Sequence, residues 1–126
     1  MIIDKYYNIL TNEQVEYLSK FSKECLYSSE TQIIYANQIP MASYVLLAGK
    51  IILRDAQKRI VKTCQPKVLI GFSEFFHGKA YKYTVEIESG SKVLILDRST
   101  ILEIQNQNSK HSSEPFKFFE ELTRSA

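Results

Sequence analysis

The sequence predicts a mainly β chain with flanking helices, closed as an antiparallel β-roll or jelly roll. Three observations predict it. Between residues 31 and 96 the apolar residues fall into short β-forming runs separated by turn signals. One run, Tyr81 to Glu88, alternates strictly: Tyr81, Tyr83, Val85 and Ile87 share one face, and Lys82, Thr84, Glu86 and Glu88 the other. On either side of that stretch the apolar residues recur at helical spacing.

In chain order, Tyr6 to Leu10 reads as a separate short helix. Thr11 has the chemistry of a helix N-cap, and Gln14, three residues on, completes the signal. Val15, Leu18, Phe21 and Cys25 follow at helical spacing, with Leu26 alongside, so one helix is expected to pack this stripe on the domain behind it. Thr31 to Tyr35 is a short strand, and Ala36 to Pro40 a loop. Ser43 to Leu53 is nearly continuous apolar sequence broken by Gly49, which predicts a central strand with a bend or a close backbone approach at the glycine.

Arg54 to Lys58 is a polar hairpin tip, and Arg59 to Cys64 the returning strand. Gln65-Pro66 turns the chain into the short strand Val68 to Ile70. The run from Tyr81 is then a half-buried antiparallel strand, and Ser89-Gly90-Ser91 predicts a hairpin with Lys92 to Leu96. Asp97 to Thr100 are helix-capping types ahead of Ile101, Leu102 and Ile104. Gln105 to Ser113 reads as a polar linker. Glu114-Pro115 opens a last helix, on which Phe116, Phe119 and Leu122 share a face and Phe118 lies beside Leu122. The expectation is one domain over 1–126, with helices over 1–30, a roll of seven or eight strands over 31–96, and helices over 97–126.

Composition limits the function classes. A chain of 126 residues with 44% hydrophobic and 24% charged residues can bury a core without disulfides or a metal. A formal net charge of +2 is too small to draw in nucleic acid by bulk attraction. The densest basic group, Arg54, Lys58, Arg59 and Lys62, is interrupted by Asp55 and reads as a solvated hairpin. Cys25 and Cys64 are far apart and read as two buried thiols in a reducing compartment. The first residues lack the layout of a signal peptide, and no apolar run approaches the roughly 18 residues of a membrane span. A cytoplasmic protein is expected.

No catalytic or cofactor signature emerges. The two histidines, His77 and His111, sit in no nucleophile motif and in no metal-ligand spacing. His77, near Glu74, reads as a surface-loop residue, and Glu86 and Glu88 as solvated. Neither a dinucleotide fingerprint nor a P-loop is present. The reading is therefore a non-enzyme without cofactor or metal. One segment keeps the layout of an anion site: Gly71-Phe72-Ser73-Glu74-Phe75-Phe76-His77-Gly78, a glycine after a strand, a helical turn, and a further strand from Tyr81.

That segment carries a resemblance. The chain resembles the cyclic-nucleotide-binding domain, the β-roll of catabolite-activator-type regulators and of the regulatory subunits of cyclic-nucleotide-dependent kinases. The similarity runs from about Leu10 to about Leu102, with a trailing helix. Ser43 to Ile51 is similar to the family's strand with its glycine-lysine step. Leu69-Ile70-Gly71 is similar to the lead-in to the phosphate-binding cassette. Gly78 matches the glycine before the family's proline-arginine pair, Thr84-Val85 the threonine-valine after it, and Val93 to Arg98 the next strand with its aspartate-arginine end.

The cassette departs from the family at its two ligand-holding positions. The resemblance implies a ribose-binding glutamate where Phe72 stands and a phosphate-binding arginine where Tyr81 stands. Glu74 and Lys79 are the nearest substitutes, since alternation puts Lys82 on the face opposite Tyr81. A cyclic phosphate would lose its charge-assisted partner. Two such contacts at about 1.5–3 kcal/mol each amount to two to four orders of magnitude in affinity.

The degenerate ligand site thus comprises Gly71, Phe72, Ser73, Glu74, Phe75, Lys79, Tyr81, Tyr83 and Thr84. Its aromatic residues either fill the former pocket as core or line an altered one. The expected function is a non-catalytic regulatory module acting through a protein partner, a homodimer included, with no nucleic acid bound by this chain alone. The alternative is a small-ligand sensor with non-standard contacts. Phe116, Phe118, Phe119 and Leu122 are the expected partner face.

Overall fold

In the computed structural model, residues 4–108 and positions 117, 120, 121 and 123 are described. A 3-10 turn, Asp4–Tyr6, leads into strand β1, Tyr7–Ile9. This replaces the short helix expected over Tyr6 to Leu10. The backbone groups are used instead in an antiparallel pairing of Tyr7 to Ile9 with Ile70 to Val68.

Helix α1, Asn12–Ser19, starts as the sequence predicts. Gln14 N–H donates to Thr11 Oγ1 at 3.1 Å, and Thr11 N–H to Gln14 Oε1 at 2.8 Å. The helix stops earlier than expected. The Lys20 N–H turns tightly onto the carbonyls of Leu18 and Tyr17, and the Ser22 hydroxyl donates to the Ile95 carbonyl at 2.7 Å. Glu24–Tyr27 is strand β2. Cys25 and Leu26 therefore belong to a sheet and not to the helical stripe, and Leu26 is exposed. Two strands thus fall within residues 1–30, which the sequence reading gave to helices.

The other strands are β3, Thr31–Ile34; β4, Ser43–Ala48; β5, Ile51–Arg54; β6, Ile60–Cys64; β7, Val68–Ile70; β8, Thr84–Ile87; and β9, Ser91–Leu96. Helix α2, Phe72–His77, follows β7, and α3, Arg98–Asn108, follows β9. Asp97 Oδ1 caps α3 by accepting from Thr100 N–H at 2.9 Å. The helix runs through 105–108, where a linker was expected. Phe116, Phe118, Phe119 and Leu122 lie outside the described residues, as does His111.

The strands form two antiparallel sheets, β1-β7-β4-β9-β2 and β3-β8-β5-β6. The run from Ser43 to Leu53 is two strands in two sheets, and Gly49 is the corner between them. Its φ is +95°, and a Cβ there would meet the Ser91 hydroxyl and lie 2.7 Å from Ser91 Cα. Both expected roles of Gly49, bend and close approach, are present. The hairpin expected across Ser89-Gly90-Ser91 is absent. β8 pairs with β3 and β5, and β9 with β4 and β2, so this turn also carries the chain between sheets.

Two apolar layers result. Leu46, Ile70 and Val93 of the first sheet face Ile51, Leu53, Val85 and Ile87 of the second, inside the roll. Val45, Leu69 and Leu94 point the other way, onto Leu18, Phe72, Ile101 and Ile104 of the three helices. The first sheet is thus covered on both faces, which is why its strands lack polar alternation. Each fully buried aliphatic side chain stabilises the fold by about 1.5–3 kcal/mol. Among the described residues no helix is long and apolar enough to cross a membrane.

Candidate functional site

Strand β7 ends at Ile70, and Gly71 turns the chain into α2 with φ +74°. A Cβ at Gly71 would lie 3.0 Å from Ile34 Cδ1, so the strand-to-helix step sits tightly on the roll. Gly78, at φ +69°, closes the helix with its N–H on the Glu74 carbonyl, which also accepts from Lys79 N–H at 2.8 Å. The glycine-helix-glycine layout read from the sequence is therefore formed.

Its aromatic residues do not surround one pocket. Phe72 and Phe75 belong to the layer under the helices, whereas Tyr81 and Tyr83 lie inside the roll. Phe72 stacks on the half-buried Phe76 at 5.7 Å between centroids, and the Arg98 guanidinium lies 5.5 Å from the Phe75 ring. The first sheet runs between the two groups. Strand periodicity alone could not reveal this, because the division depends on which way α2 rolls.

The remaining cassette side chains spread out. Ser73 is half-buried, and Lys79 is exposed. Thr84 Oγ1 accepts from Ala36 N–H at 3.1 Å. Lys82 is exposed, with Nζ 5.8 Å from the Tyr83 centroid. Glu74 is buried. Burial pushes its carboxyl above the usual range, and the charges of Lys79, His77 and Lys5 act against that. His77 ends α2 with its ring 5.2 Å from that of Phe76. It is half-buried, and its Nε2 is enclosed without a partner among the described residues, so the surface-loop reading is corrected.

Tyr81 occupies the centre of the roll. It is 0% exposed. Its hydroxyl donates to the Tyr6 carbonyl at 2.7 Å. Its N–H donates to Gln38 O at 2.9 Å, and its carbonyl accepts from Asn37 N–H at 2.6 Å. The Tyr6 ring meets Tyr81 and Tyr83 edge-on at 5.6 and 5.3 Å. Burial drives the Tyr81 phenol far above its ordinary range. Tyr81 is thus a buried neutral ring tied to the N-terminal turn. Tyr6 is the residue that sequence reasoning missed, because it was placed in a helix.

The second sheet's outward face is also not as expected. Glu86 is buried, not solvated, and accepts from Arg54 Nε at 3.0 Å. Arg54 Nη1 donates to the Lys58 carbonyl at 2.9 Å. A polar cleft of about 430 Å³ opens beside this pair. Between β1 and β6 lies a more apolar cleft of about 210 Å³, lined by Tyr7, Ile9, Lys62, Cys64 and Val68 among others. Cys64 is buried and its thiol is pushed up to about 11 by desolvation, whereas Cys25 is half-buried, so only one of the two thiols is shut away.

The family model of the cyclic nucleotide-binding domain matches residues 24–108. No curated protein matches the chain. Solved structures share its fold. One, from work on a cyclic-GMP-dependent signalling pathway in bacterial phytopathogenesis, has a TM-score of 0.72 at 10% identity, covering 94% of this chain and 98% of that one. The catabolite activator protein of Thermus thermophilus has a TM-score of 0.63 at 20% identity. That match covers 79% of this chain and only 49% of the activator. A cyclic nucleotide-binding domain from Methylobacillus flagellatus has a TM-score of 0.62 at 14% identity, covering 80% of this chain and 59% of that one.

Proposed function

The chain belongs to the cyclic nucleotide-binding domain family, and from that premise we propose that it is a non-catalytic regulatory module whose roll does not take cyclic AMP or cyclic GMP in the family's way. The observation that carries this reading is Tyr81. A cyclic nucleotide needs a cation for its phosphate and open volume for its ring. At the aligned position the roll offers a fully buried phenol, hydrogen-bonded to Tyr6 and packed edge-on against it. Glu74 does not replace the missing acid well, because burial disfavours its charged form. Lys79 is exposed.

In this reading the module works in the cytoplasm, over residues 1–126 as one domain, by docking to a protein partner or to a second copy of itself. The partner face is the aromatic stripe of Phe116, Phe118, Phe119 and Leu122. Truncation before Glu114 is expected to abolish self-association or partner capture. Unchanged mass by light scattering together with an unchanged pull-down would remove that assignment.

The decisive experiment is calorimetry of the whole chain with cyclic AMP, cyclic GMP and cyclic dinucleotides. No heat is expected. A dissociation constant tighter than about 10 μM, roughly −7 kcal/mol, would favour the second reading, a sensor that holds its ligand through non-standard contacts.

A further inference from the structure

The outward face of the second sheet carries a constellation separate from the cassette. On it, β8 and β5 place Glu86 opposite Ile52 and Thr84 opposite Arg54. β3 brings Gln32 opposite Glu86 from the other side. Arg54, Glu86 and Gln32, with Tyr35, Asp55 and Lys58, help to line the polar cleft of about 430 Å³.

The lining has two acids and two bases, and they are unequally committed. Asp55 is saturated: Oδ1 accepts from the N–H groups of Gln57 and Arg59 at 2.9 and 3.0 Å, and Oδ2 from Arg59 Nε at 2.9 Å. Glu86 is not. Its Oε2 accepts from Arg54, but its Oε1 is buried without a partner among the described residues. Glu86 is only 5% exposed, so water does not serve that oxygen freely. A buried carboxylate oxygen lacking a donor is a place where a ligand N–H gains more than it would in water.

The cations face the same opening. Arg54 is pinned at Nε by Glu86 and at Nη1 by the Lys58 carbonyl, which fixes the plane of its guanidinium. Lys58 is exposed, so its ammonium is open to solvent at the cleft. Asp55 is paired with Arg59 and Glu86 with Arg54, so what the lining leaves over is one carboxylate oxygen and the exposed Lys58 ammonium. A molecule carrying both charges meets complementary groups.

We propose that this cleft binds a small zwitterion of the α-amino acid class. The ligand ammonium donates to Glu86 Oε1, and its carboxylate bridges Arg54 and Lys58. Oε1 is covered in the free cleft, so the ammonium reaches it only after a local side-chain shift that leaves the Arg54 contacts in place. Tyr35, 51% exposed, offers a ring to the ligand's side chain.

The test is calorimetry and thermal melting of the whole chain with each common α-amino acid at up to about 10 mM, with acetate and methylamine as the separated charges. Saturable heat and a raised melting temperature are expected with at least one amino acid, and none with acetate or methylamine. Glu86→Gln and Lys58→Ala are each expected to weaken binding at least about tenfold. Lys58 is exposed, so its variant keeps the test open if Glu86→Gln does not fold. Three results would overturn the proposal: no heat with any amino acid, an affinity unchanged in Lys58→Ala, or acetate binding as tightly as the amino acid.

Discussion

The Tyr81 hydroxyl donates to the Tyr6 carbonyl at 2.7 Å, and this bond ties the N-terminal turn to the interior of the roll. Tyr6 in turn closes edge-on over Tyr81 and Tyr83, with interplanar angles of 81° in both pairs. Three rings from two distant parts of the chain therefore pack together inside the roll. Tyr81→Phe keeps the ring and removes the bond. It is expected to lower stability by about 0.5–1.5 kcal/mol in urea denaturation, with an unchanged m value.

Restoring the family's cation is expected to fail. Tyr81→Arg puts a charge at a position that is 0% exposed and packed against Tyr6. An uncompensated buried charge costs several kcal/mol, about 3–5 by analogy with a broken buried pair. Cyclic AMP is expected to give no heat with this variant. A Tyr81→Arg protein that melts like the parent and binds cyclic AMP would show that the pocket is intact and only the cation is missing.

Much of this arrangement is legible in the sequence. The capping box at Thr11, the corner at Gly49 and the inward face of Val85 and Ile87 follow from local chemistry, and all three are formed. Strand pairing was not legible. Nothing local says that β8 and β9 part company at Gly90, because a turn sequence fixes a reversal of direction and not the sheet that receives the chain. Cys25 and Leu26 fit a helical stripe, yet pairing with Val93 and Lys92 makes them strand. The site was legible as a list of residues but not as a shape. Phe72 and Tyr81 were named together, and the first sheet separates them.

Gly49 is expected to be intolerant of any side chain. A Cβ there would lie 2.7 Å from Ser91 Cα, in backbone that has little room to give. Ser91 Oγ also accepts from Lys50 N–H at 3.1 Å, so the corner is braced from both sides. Left-handed strain of about 1–2 kcal/mol adds to overpacking of about 1–3 kcal/mol. Gly49→Ala should therefore lose about 2–5 kcal/mol by chemical denaturation. A loss within experimental error would mean that the corner relaxes freely.

Glu74 gives the fold a pH dependence of defined sign. Burial raises its folded-state pKa above the ordinary value of 4.5. The folded state therefore binds the proton more tightly than the unfolded one. That favourable contribution is full below the unfolded value and is lost as pH rises through the folded one. Glu74→Gln keeps the size and removes the titration. It should be more stable than the parent at neutral pH, and the difference should shrink as pH falls toward 4.5. A difference that stays constant from neutral to acid would show that Glu74 is ionised in the fold at no cost.

Lys58 sets stability against the proposed ligand. It closes the β5–β6 turn with φ +66°, donating from its N–H to the Asp55 carbonyl at 2.9 Å. A lysine in that conformation is strained by about 1–2 kcal/mol. Glycine relieves the strain but adds about 0.5–1 kcal/mol of backbone entropy to the cost of folding. Lys58→Gly should therefore stabilise the free chain by roughly 0.5 kcal/mol, because both backbone hydrogen bonds of residue 58 survive the change. The same substitution removes an ammonium from the cleft and should weaken amino acid binding at least about tenfold. Paired melting and calorimetry measurements separate the two effects. A variant with both a higher melting temperature and lost binding is the expected result. One that binds as the parent does would leave Lys58 as a turn residue only.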